Sequence, residues 1–99
     1  MKKVFLFATD INPLKMSAQC YEAAVEKISS LPGMIAVHPD ITYVLIIFDT
    51  LENAITARGI WTEAGYNAAR YIMNGRIEDD GLTITVNSPA YDSSGGPLQ

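Results

Sequence analysis

Ile41-Thr42-Tyr43-Val44-Leu45-Ile46-Ile47-Phe48-Asp49 is apolar at nearly every position instead of every second one. A strand written this way has no face to offer water, so it belongs in the middle of a sheet with helices over at least one side. The reading sets it beside the N-terminal strand and running in the same direction. Everything else in the chain is placed outward from it.

On the N-terminal side, Met34 to Val37 forms a short apolar strand, and His38-Pro39-Asp40 turns the chain back into the central run as an antiparallel pair. Before it, Leu14, Ala18, Tyr21, Val25 and Ile28 recur at helical spacing, while Lys15, Gln19, Glu22 and Glu26 fall on the other side. Asn12-Pro13 supplies an N-cap and a proline at the first helical position, and Leu31-Pro32-Gly33 ends the helix. Val4 to Ala8 is the first strand. On the C-terminal side, Asp49 or Thr50 caps a second helix, with Glu52 completing a capping-box pattern from Asp49. Two stripes compete for its buried face: Leu51, Ile55 and Thr62, or Ala54, Ala57, Trp61 and Ala64. Gly65 stops it. Tyr71 to Met73 is read as a fourth strand at an edge, with a helix ending at Asn74-Gly75 as the alternative. Arg76 to Glu78 and Leu82 to Val86 make a hairpin across Asp79-Asp80-Gly81. Residues 1–87 form one domain of order β-α-β-β-α-β with an added hairpin, and 88–99, which lacks a core-forming pattern, is read as a flexible tail.

Ninety-nine residues suit a single domain that buries roughly 65% of its unfolded surface. With Cys20 the only cysteine, no intramolecular disulfide forms, and the lone thiol points to a reducing, cytoplasmic setting. Basic residues precede the apolar run Val4 to Ala8, but Thr9, Asp10 and Asn12 interrupt it short of a signal-peptide core. No stretch approaches the length of a membrane span. The net charge of −4 and the scatter of the seven basic residues argue against a nucleic-acid backbone as the main partner.

From Cys20 the chain reads Cys-Tyr-Glu-Ala-Ala-Val-Glu-Lys-Ile-Ser-Ser-Leu-Pro-Gly-Met, then reaches Phe48-Asp49 and later Glu63-Ala64-Gly65-Tyr66. Over about fifty residues this resembles the heavy-metal-associated domain of copper chaperones and P-type ATPases. The resemblance implies a ferredoxin-like βαββαβ plait, an α+β fold whose antiparallel or mixed sheet carries two helices on one face, here with the C-terminal hairpin outside the match. It also implies a soft-metal loop before helix one, with Cys20 in the place of the second cysteine of a Cys-x-x-Cys pair. Ser17 stands where the first would be, and a hydroxyl is a poor ligand for Cu(I); Met16 is a neighbouring thioether. The bland reading of Cys20 is a small, partly buried hydrophobe.

Asp10 and Asp49 each follow the apolar part of a strand. If strands one and three run in parallel, both carboxylates leave the same sheet edge, where two such groups hold Mg²⁺ against a phosphodiester. That arrangement loosely resembles the small Cas2-like nucleases; the plainer reading is that both residues end strands and favour helix N-termini. His38 has no partner for catalysis, and Glu78-Asp79-Asp80-Gly81 lacks the ligand pattern of a calcium loop. No cofactor is implied. The leading expectation is therefore a non-catalytic binding or regulatory domain acting through protein contact, as a homodimer or as an inhibitor of a partner, for example a mobile-element protein blocking a host defence enzyme. The alternatives are a copper-binding protein with a degenerate site at Cys20 and a metal-dependent nuclease at Asp10 and Asp49.

Overall fold

A computed structural model describes residues 1–10, 18–39, 43–81 and 83–97. Within them the chain forms β1 (Lys2–Asp10), α1 (Ala18–Ser29), β2 (Met34–Pro39), β3 (Tyr43–Phe48), α2 (Leu51–Glu63), β4 (Tyr71–Ile77), β5 (Ile84–Asp92) and β6 (Gly96–Pro97). The strands make one sheet of order β2-β3-β1-β4-β5-β6, antiparallel at every pairing. The architecture is α+β. The apolar run is mid-sheet, as its composition demands: β3 lies between β2 and β1, and Val44, Ile46, Ile47 and Phe48 are fully buried.

Its direction differs from the expectation. β3 runs antiparallel to β1, with Phe5 opposite Phe48 and Asp10 opposite Tyr43. The cause is the chain path: α1 returns the chain so that β2 runs in the direction of β1, and β3 pairs antiparallel with both.

Alternation on β3 and β1 divides the core into two. Phe7, Val44, Ile46 and Phe48 point to one face and meet Ala24 and Ile28 of α1 and Ala54, Ala57 and Trp61 of α2. On α1, Ile28 of the expected stripe is fully buried and Val25 is partly so, with Ala24 buried beside them. On α2 the small-residue stripe wins. Ala54 and Ala57 let the helix approach the sheet, and Trp61 fills the space beyond them, stacked on Tyr66 at 4.6 Å. Thr50, not Asp49, is the N-cap, and its hydroxyl accepts from the Asn53 amide at 3.3 Å.

The opposite face carries a second cluster of Val4, Leu6, Ile47 and Ile77, with Ile35, Leu45, Met73 and Ile84 around it. Among the described residues no helix contributes to this cluster. Gly75 explains part of its cover. A Cβ there would meet the Thr85 carbonyl oxygen at 2.6 Å and Leu6 Cδ2 at 2.8 Å, so the β5 backbone leans across the sheet onto Leu6. Bulges at Asn87 and Ala90, where β5 shifts register against β4, supply the coiling that brings it there.

The C-terminal part also departs from expectation. β4 is internal, paired with both β1 and β5, and Asn74-Gly75 lies within it instead of turning the chain. The hairpin across Asp79-Asp80-Gly81 forms, with the Gly81 amide donating to the Glu78 carbonyl and Gly81 at φ 72°. From residue 87 to 92 the chain is strand, not tail. β5 continues to Asp92, whose carboxylate takes a two-pronged contact from Arg70 (2.9 Å on each oxygen) and the Ser94 amide at 2.9 Å. Ala90 and Asp92 are buried there. Single-residue patterning misses this segment because its anchor is an ion pair with a residue 22 positions away.

Candidate functional site

The antiparallel register separates the two carboxylates considered for metal chemistry. Asp10 closes β1 opposite the first residue of β3, whereas Asp49 follows the last, at the other end of the same strand pair. Asp49 is six residue steps along the strand from Tyr43, the partner of Asp10, about 20 Å at strand rise. The shared edge on which a two-carboxylate site depended is thus absent within one chain. Asp49 instead seats the turn after α1. Its amide donates to the Gly33 carbonyl at 2.9 Å, and its carboxylate lies over Gly33, where a Cβ would fall 1.9 Å from Oδ1. Gly33 has φ 82°, so both space and backbone call for glycine.

Met16 and Ser17 of the copper-type loop lie outside the described residues, as does the side chain of Cys20, whose backbone is in the first turn of α1. His38 pairs with Leu45 in the β2-β3 ladder, and its side chain is likewise outside the description. Among the described residues no three His, Cys, Asp or Glu side chains converge. Asp80 accepts from the Thr83 amide and hydroxyl at 2.9 and 2.7 Å, which makes the acidic Glu78–Gly81 segment a closed turn.

Two features of the β4-β5 region stand out instead. The first is the outer edge of β5. β6 pairs only with Tyr91 and Asp92, so from Ile84 to Pro89 that edge has no strand partner among the described residues. The segment Ile-Thr-Val-Asn-Ser-Pro contains no charge, and Val86 is 49% exposed. Strand edges left open in this way are usually blunted by lysines or other charges. The second is a cleft of about 320 Å³ over β1, β4 and β5, lined by Lys3, Asn74, Arg76, Asn87 and Ser88 together with Met1 and Gly75. Lys3 lies directly across from Arg76, and Asn74 across from Ser88.

Both features depend on the extension of the sheet past β4, and the residues that make them are ordinary polar types without a spacing signature. The alternation of Leu82 to Val86 was the one local signal that a strand runs there. No helix among the described residues is long and apolar enough to cross a membrane. No family model, curated protein or solved structure matches the chain.

Proposed function

We propose that this chain is a non-catalytic binding domain of ferredoxin-like plait type that acts through protein contact, and that its primary contact is with a second copy of itself along β5. The order β2-β3-β1-β4, with both helices packed against β1 and β3, supports the plait reading, and β5 and β6 are its addition. The observation that carries the contact is the uncharged, unpaired edge from Ile84 to Pro89. Two copies meeting antiparallel across a two-fold axis bring the same residues together, so a charge there would repel its own image; an uncharged edge is self-complementary. Pro89 lacks an N–H and limits the shared ladder to the Ile84–Ser88 side.

Light scattering coupled to size exclusion tests this. The expected result is a species of twice the chain mass that Val86→Lys converts to monomer, because two lysines then oppose across the axis. A monomer at all concentrations, or a dimer indifferent to V86K, overturns the proposal.

A further inference from the structure

We propose that the cleft over β1, β4 and β5 binds the phosphate group of a small phosphorylated molecule. The chain carries net charge −4, yet Lys3 and Arg76 stand directly opposite each other in the β1-β4 ladder. Like charges in that relation repel; the Phe5 ring under Lys3 at 5.4 Å and Glu78 beside Arg76 offset part of the cost, and an anion between the two cations offsets more. Among the described residues no carboxylate lines the cleft. The nearest acidic group to Arg76, Glu78 Oε1, is 3.9 Å from Nε, at the limit of an ion pair, and the terminal ammonium of Met1 is taken by Asp79.

The remaining lining supplies donors of the right kind. Asn74 and Asn87 bring amide N–H groups and Ser88 a hydroxyl, while the Arg76 guanidinium offers a planar fork that matches two phosphate oxygens. Asn87 reaches the cleft because it is the extra residue of a β5 bulge, a device that re-aims side chains. Two cations with three neutral donors suit a tetrahedral dianion better than a planar carboxylate. The volume, about 320 Å³, accommodates a phosphate with a small organic group attached. This inference is independent of the β5 edge contact, since the cleft is open within a single chain.

The test is an NMR titration of the full chain with inorganic phosphate at low ionic strength, with malonate as a dicarboxylate of similar charge. Phosphate is expected to shift the amides of Asn74, Arg76, Asn87 and Ser88 saturably, with a dissociation constant on the order of 1 mM. Lys3→Gln and Arg76→Gln should each weaken binding roughly tenfold, and Arg76→Lys, which retains the charge and the sheet position, should weaken it less. Lys27→Gln, on the last turn of α1, should leave it unchanged. Absence of saturable shifts, equal loss in K27Q, or malonate binding as tightly as phosphate overturns the proposal. Oligomeric state measured on the same samples keeps this outcome separate from that of the edge contact.

Discussion

The two halves of the sheet are held by different physics. β2, β3 and β1 carry the helices, and their order comes from apolar burial: Phe7, Ile46, Phe48 and Trp61 are all at or near zero exposure. β4, β5 and β6 bury fewer side chains, chiefly Ile72, Ile77 and Ala90, and add to them ladders with two bulges, a glycine contact and the Arg70–Asp92 pair, while exposing Asn87, Ser88 and Pro89 to water. The first half should therefore respond mainly to loss of volume, and the second to pH as well through Asp92; the second half also supplies most of the residues assigned to binding, with Lys3 of β1 joining the cleft.

Breaking the first half gives the largest effect. Trp61→Ala removes a fully buried indole and its stack on Tyr66, and is expected to cost about 3–5 kcal/mol in urea unfolding. Next comes the seam between the halves. Gly75→Ala drives a methyl into the Thr85 carbonyl and Leu6, for a loss of about 1–3 kcal/mol; hydrogen exchange should show the β4-β5 amides opening before those of β3.

A smaller effect, specific to the second half, is expected with acid. The Arg70 guanidinium, aided by the Ser94 amide, holds the Asp92 carboxyl below the usual carboxylate range. Its contribution is present above the ordinary value of about 3.9 and drains away as pH falls from there through the lowered folded-state value. Asp92→Asn should therefore lower Tm at neutral pH and remove that part of the acid dependence, which thermal melts at several pH values will read. If D92N and the parent chain lose stability in parallel on acidification, the pair is not what anchors β5. The smallest effect belongs to Asp79, fully exposed and lowered by the terminal ammonium. Asp79→Asn should change Tm less than D92N, and the difference should vanish in about 1 M salt.

The same division decides what the sequence reveals. Ile41 to Asp49 announces its central position because burial on both faces leaves a continuous apolar run, and Trp61 with its alanines can be found by helical spacing. Strand direction cannot be read from such a run, since an apolar strand is apolar in either sense. That is why Asp10 and Asp49 were expected together and lie apart. Nor do Lys3 and Arg76, distant in sequence, signal a shared cleft until register sets them opposite. The segment from Ser88 to Asp92 reads as tail because its order rests on Arg70 and on bulges, neither of which leaves a periodic trace.

The turn after α1 couples two events that the chain separates. The Pro32 carbonyl accepts from the Asn53 side chain at 2.6 Å and the Gly33 carbonyl from the Asp49 amide, so the exit of α1 is latched to the entry of α2. Fraying at this corner of either helix has to break these two bonds, so the two helix ends are expected to open together. The amides of residues 49–53 and those closing α1 should then report a single opening rate, making the two helices one cooperative unit above the sheet.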